Sequence, residues 1–142
     1  MIYVAEKDFN RQLDLLEHFS NSEDVELVVW MYPEAEIDEL LGLKLYESRS
    51  IKAEPVTTYQ EGIISRCTKR LPTDRNLIQK LRSERHIITK NCDSICLYFS
   101  NDFEWQVCVV GHEGMGLVRN TSFISDLKKS GYNVSLNPPD WW

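Results

Sequence analysis

Hydrophobic and polar positions recur along this chain of 142 residues with two periods, one typical of helices and one typical of strands. Where apolar residues return every three or four positions, the flanking residues are ones that begin or end helices. Four helices are predicted: 9–19 behind the N-cap Asp8, 34–41 between Pro33 and Gly42, 73–84 with Thr73 as cap, and 122–130 before Gly131.

Alternation and β-branched or aromatic content predict the strands. The expected strands are a central one at 25–32, edge strands at 1–5 and 132–136, short ones at 43–46, 51–58 and 62–68, and one at 115–119. Residues 86–89 fit either a strand or the exit of the preceding helix. The last six residues, from Asn137 to Trp142, are expected to form an extended tail, with its tryptophan pair packed on the sheet rather than exposed as an interface anchor.

The most regular pattern is a hairpin over 94–110. Its apolar positions match across the turn only if three residues, 101–103, form the loop. This register predicts three apolar pairs on one face and one cysteine pair on the other: Phe99 with Trp105, Leu97 with Val107, Ile95 with Val109, and Cys96 with Cys108.

These elements predict a single α+β domain over 1–142, with a mainly antiparallel sheet of about five to seven strands and three or four helices packed on it. No apolar run approaches the ~20 residues of a membrane span, and the N-terminus does not resemble a signal peptide. We therefore expect a cytoplasmic protein. Its four cysteines, Cys67, Cys92, Cys96 and Cys108, are expected to be reduced and structural rather than bridged or metal-bound.

The formal net charge of −6 is unevenly distributed. Residues 1–47 hold twelve acids and three bases, whereas residues 48–90 hold ten bases and four acids. Such blocks inform on partners more than on fold. Seven acids crowd into one short segment: Glu23, Asp24, Glu26, Glu34, Glu36, Asp38 and Glu39.

This acidic cluster has two main interpretations, and a metal site is a less favoured third because no DxDxDG-type calcium loop is present. The cluster is either a solvated face or a surface that attracts a basic partner, with Trp30 or Tyr32 as an aromatic anchor. The bases of 66–90 suggest contact with RNA, but no aromatic residues are interleaved with them as single-strand binding requires. We therefore favour a protein partner over a nucleic acid.

The most enzyme-like feature is the sequence Gly111-His112-Glu113-Gly114. A histidine beside a glutamate can serve acid–base chemistry, but no HExxH motif follows, and glycines at both ends are ordinary in turns. An enzyme or ligand-binding domain built on His112 and Glu113 is the alternative hypothesis. No catalytic set, metal site or cofactor motif is predicted.

In its size, its acidity, its acidic cluster and its lack of a catalytic motif, the chain resembles the bacterial toxin-immunity class, including the contact-dependent growth inhibition type. The resemblance covers the overall profile and transfers no site residue. It implies a non-enzymatic cytosolic protein that neutralises a cognate toxin, here a basic one of the nuclease type, through an acidic surface.

Overall fold

The computed structural model describes residues 1–21, 24–60 and 62–142, and has the predicted α+β architecture. Its described part contains four α-helices: α1 (Phe9–Ser20), α2 (Arg75–Ser83), α3 (Arg85–Asn91) and α4 (Ile124–Lys129). The Asp8 carboxylate caps α1 by accepting hydrogen bonds from the amides of Asn10 and Arg11. The cap of α2 is Asp74, one residue later than predicted.

Eleven strands form within the same residues: β1 (Ile2–Ala5), β2 (Val25–Met31), β3 (Glu39–Leu40), β4 (Leu43–Lys44), β5 (Tyr46–Glu47), β6 (Arg66–Cys67), β7 (Leu71–Pro72), β8 (Cys92–Phe99), β9 (Trp105–Val110), β10 (Met115–Val118) and β11 (Asn133–Ser135). Nine of them make one antiparallel sheet in the order β11-β1-β10-β9-β8-β2-β6-β5, with β7 also paired to β2. The sheet has more strands than the predicted five to seven. Three of its strands, β5, β6 and β7, have only two residues each, which is too short for a hydrophobic pattern to predict them individually.

One face of the sheet is covered by helices, and we call it the helix face. Its buried strand residues, such as Leu27, Ile95 and Val109, share one core with apolar side chains of all four helices. The close fit of α1 depends on Gly116 in β10, where a Cβ atom would lie 2.7 Å from a methyl of Leu15. Glycine at this position therefore allows the helix to reach the sheet.

The opposite face carries a second buried cluster that includes Trp30, Tyr98, Trp105 and Cys108. Residues 51–58, which we call the strap, cross this strap face in irregular conformation. Ile51, Ala53 and Val56 are the strap residues that pack against the cluster. A segment without a strand ladder has peptide groups that need other partners.

Polar side chains of the sheet supply those partners. The Trp30 indole donates a 3.0 Å hydrogen bond to the Tyr98 hydroxyl, which donates in turn to the carbonyl of Glu54 at 2.6 Å. The Ser94 hydroxyl donates to the carbonyl of Val56, and the amide of Thr58 donates to the Asp93 carboxylate at 2.9 Å. The strap is therefore tied to the sheet along its length.

Arg70 joins the strap to the hairpin. Its guanidinium lies over the Tyr98 ring, and donates to the carbonyls of Lys52, Phe99 and Asp102. The same group forms an ion pair with Glu26 at 2.9 Å. One arginine thus connects three chain segments on the strap face, which a lysine could not do with the same geometry.

Several predicted elements differ from the observed ones. Residues 34–41 are not a helix but a turn leading into the hairpin β3–β4, in which Leu41 and Gly42 have φ of 56° and 72°. Two positive φ angles are typical of a type I′ hairpin turn. Residues 51–58 form the irregular strap instead of the predicted strand. Of residues 62–68, only Arg66 and Cys67 are in a strand. Residues 86–89 lie inside α3.

The hairpin of β8 and β9 confirms the predicted pairs at Ile95, Cys96 and Leu97. A bulge then shifts the register, so that Tyr98 rather than Phe99 faces Trp105. This shift brings both rings into the buried cluster of the strap face and leaves Phe99 exposed. The C-terminal tryptophans are exposed rather than packed on the sheet, with 58% of Trp141 and 44% of Trp142 accessible.

Within the described residues, none of the helices has both the length and the apolar character needed to cross a membrane.

We expect Tyr98→Phe to lower the free energy of unfolding by about 1–3 kcal/mol, because it leaves the Trp30 indole and the Glu54 carbonyl without their buried partner. Tyr3→Phe is the control, since the half-buried Tyr3 hydroxyl has no hydrogen bond among the described residues. Urea denaturation measures both. Equal stability of the two variants would show that the hydroxyl of Tyr98 does not secure the strap.

Candidate functional site

The structure divides the predicted acidic cluster between the two ends of β2. Asp24 precedes this strand, whereas Glu34 to Glu39 follow it. Seven residues of strand span roughly 20 Å, so the two groups do not form one surface. Glu23 lies outside the described residues.

Arginines from the basic middle of the chain fold back onto the acidic first third. Arg66 pairs with Asp38 at 2.7 Å and Arg70 pairs with Glu26 at 2.9 Å. Further along, Arg82 pairs with Asp14, and both Arg75 and Arg82 lie 3.7 Å from Glu17. The charge blocks of the sequence therefore compensate each other over much of the surface.

Four acids of the cluster remain exposed and outside the ion pairs of the described chain: Asp24 at one end of β2, and Glu34, Glu36 and Glu39 beyond its other end. Glu39 faces Lys44 across the β3–β4 hairpin, so its charge is partly offset. Glu34 and Glu36 border a groove of about 340 Å³, which Tyr32, Ala35, Ile37 and Lys90 also line. We call this the acidic groove.

Tyr32 lies half-buried in the wall of the acidic groove. Burial raises the pKa of its hydroxyl to about 12, and the negative charges of Asp93 and Glu34 add to this effect. The phenol is therefore neutral at physiological pH, and its ring provides an aromatic surface beside two carboxylates. The other predicted anchor, Trp30, is fully buried in the strap-face core, so it is removed from the predicted surface.

The histidine of the Gly111–Gly114 turn contacts a buried carboxylate that the sequence pattern does not predict as a site residue. His112 Nε2 lies 2.9 Å from Asp93 Oδ1, and Asp93 is fully buried. Thr58 donates to both oxygens of the same carboxylate, from its hydroxyl at 2.7 Å and from its amide at 2.9 Å. These residues are far apart in sequence, and only the strap brings Thr58 to Asp93.

The geometry does not form a hydroxyl–histidine–carboxylate relay. Such a relay needs the two ring nitrogens to face different groups, one the carboxylate and the other the hydroxyl. Here Nε2 faces both, with the Thr58 hydroxyl 3.4 Å away, while Nδ1 lies 3.8 Å from Glu113. The cluster of His112, Asp93 and Thr58 therefore has the arrangement of a strap anchor.

Burial keeps three of the four thiols, Cys67, Cys92 and Cys108, in their protonated form. Burial raises the pKa of the Cys67 thiol to about 12, and it raises the pKa of Cys92 and Cys108 well above the ordinary range. Cys96 and Cys108 face each other across the hairpin in the predicted register, and their sulfurs are not bonded to each other in the structure. In the described part of the chain, no three His, Cys, Asp or Glu side chains are grouped to hold a metal ion.

We expect the native protein at pH 8 to react with Ellman's reagent much more slowly than free cysteine does, because raised pKa values leave little thiolate. In denaturant, four thiols should react rapidly. A native thiol that reacts at the rate of free cysteine would contradict the buried, protonated state.

We expect Asp93→Ala to cost about 2–4 kcal/mol of folding free energy, since it removes a charged acceptor from three hydrogen bonds. Glu113→Ala is the matched control and should change stability by less than about 0.5 kcal/mol, because that carboxylate is partly exposed and only approaches His112. Thermal and urea unfolding measure the difference. A larger loss for Glu113→Ala than for Asp93→Ala would refute the anchor role.

Comparison of the chain with protein-family models, with curated proteins and with solved structures finds no match.

Proposed function

We propose that this chain is a non-enzymatic binding protein that masks a basic protein partner, with the acidic groove as the docking site. The observation that carries the proposal is the position of Glu34 and Glu36. Both stay exposed beside Tyr32, although arginines of the same chain pair with Glu26 and Asp38. Repulsion between unpaired carboxylates costs stability, so a surface that keeps them is suited to a cationic partner.

The groove has the chemistry to receive an arginine or lysine side chain. A guanidinium can stack on the Tyr32 ring while a glutamate accepts two parallel hydrogen bonds from it. Lys90 is the one base in the lining, and it would have to turn towards solvent when a cation enters. The exposed Glu39 on the neighbouring hairpin extends the same field and would raise the rate of encounter.

The resemblance to toxin-immunity proteins indicates the biological class. On this proposal the partner is a toxin with a basic active site, such as a nuclease, and the protein works in the cytosol by covering that site. Two features support a binder over an enzyme or an RNA-associated protein. His112 and Asp93 are engaged in holding the strap, and four arginines of the basic middle are engaged in ion pairs.

The triple variant Glu34→Lys, Glu36→Lys, Glu39→Lys tests the proposal. The control variant Glu104→Lys, Asp126→Lys, Asp140→Lys changes the net charge by the same amount at exposed acids elsewhere. Stopped-flow mixing with the product of the reading frame adjacent to the gene gives the association rate. We expect the triple variant to associate at least tenfold more slowly at low salt and to lose the salt dependence, with the control near wild type.

Equal slowing by the two variants would show that only total charge matters, and would refute the groove as docking site. Unchanged kinetics in the triple variant would refute the proposal as well. If the adjacent product does not bind wild-type protein, and no basic protein is recovered from source-organism lysate by wild type in preference to the triple variant, the masking function is wrong.

A further inference from the structure

A second cavity lies on the helix face and shares no lining residue with the acidic groove, although its His112 ring lies 5.3 Å from the Tyr32 ring of that groove. It has a volume of about 180 Å³ and is enclosed by α1, α3 and the ends of β8 and β9. Its buried lining is mostly apolar and includes Leu13, Ile88, Ile95 and Val109. Typical drug-sized sites exceed about 300 Å³, so this cavity suits only a small ligand.

The exposed lining of this cavity is basic. Lys7 and Arg85 stand at the opening together with His112, and no acidic residue lines it. Neither Lys7 nor Arg85 forms an ion pair within the described chain, and the Arg85 guanidinium lies over the Phe9 ring, 5.6 Å from its centre. The protein has a net charge of −6. Two unpaired cations at the opening of an apolar cavity therefore favour a ligand that has both a negative charge and an apolar part.

We propose that this cavity binds a small monocarboxylate with a short apolar body. The apolar body would occupy the space beside Ile95 and Val109, and the carboxylate would lie between Lys7 and Arg85 at the opening. Arginine suits this role because its planar group binds a carboxylate through two parallel hydrogen bonds. His112 forms part of the wall, with Nε2 already held by Asp93. The inference does not rest on the masking function, since the cavity and the acidic groove share no lining residue.

Benzoate and hexanoate are suitable probes, and benzamide and hexanamide are their uncharged controls. Titration monitored by methyl NMR should shift the resonances of Ile88, Ile95 and Val109, with a Kd of about 1 mM or tighter for the carboxylates. The amides should bind at least tenfold more weakly, because they lack the charge that Lys7 and Arg85 would recognise.

The variant Lys7→Ala, Arg85→Ala should weaken carboxylate binding at least tenfold. The control Lys128→Ala, Lys129→Ala removes the same charge from exposed positions of α4 and should leave the affinity within about twofold. A second variant, Thr89→Trp, places a bulky ring at an exposed lining position and should block entry without altering the core.

Three results would overturn the proposal: no saturable shifts with either carboxylate, equal affinity for the amides, or unchanged affinity in the Lys7→Ala, Arg85→Ala variant. If that variant unfolds, loss of binding in the folded Thr89→Trp protein supports the cavity as the site, and retained binding refutes it. Unfolding curves recorded beside each titration distinguish these cases.

Discussion

The attachment of the strap to the sheet is the constraint on which the rest of this structure depends. All four described helices pack on one face, so the other face, with Trp30, Tyr98 and Trp105, has no helix to cover it. An irregular segment can cover it only if its peptide groups find partners. The hydroxyls of Tyr98 and Ser94 donate to strap carbonyls, and the Asp93 carboxylate accepts from a strap amide. The sheet therefore carries polar side chains at buried positions that would otherwise be apolar.

This constraint determines what the charged residues are available to do. Arg70 is committed to the strap and to Glu26, and Asp93 and His112 are committed to Thr58 and to each other. The most enzyme-like histidine of the sequence is thereby part of the scaffold. Its side chain forms part of the wall of the helix-face cavity. Of the two pockets described, the acidic groove keeps exposed negative charge at Glu34 and Glu36, and the mouth of the cavity keeps exposed positive charge at Lys7 and Arg85.

The sequence predicted most of what depends on local pattern. The α+β class, α1, α2 and the Leu97–Val107 register all follow from hydrophobic period and capping. The pattern of residues 34–41 wrongly predicts a helix because the glycine that ends a helix is also the residue that a type I′ turn favours. The strap has the hydrophobic pattern of a strand because its apolar residues do face a core, but its Glu54 and Val56 carbonyls accept hydrogen bonds from side chains rather than from a neighbouring strand.

The candidate site depended on long-range pairing, which composition does not reveal. The acidic cluster was evident in the sequence, but the pairing of Glu26 with Arg70 and of Asp38 with Arg66 joins residues 44 and 28 positions apart. Once the acids in those ion pairs are excluded, Glu34 and Glu36 are the unpaired acids that line a groove with Tyr32. Likewise, nothing near Thr58 or Asp93 indicates that they meet over His112.

Native-state hydrogen exchange of the strap amides tests most directly whether the strap is held to the sheet. The amide of Glu54 donates to the carbonyl of Phe103 and that of Thr58 to the Asp93 carboxylate, so both should be protected nearly as strongly as the amides of β8. Their protection should fall together when Tyr98 is replaced by phenylalanine. If these amides exchange at the rate of an exposed loop while β8 stays protected, the strap is not held as described and the account of the strap face is wrong.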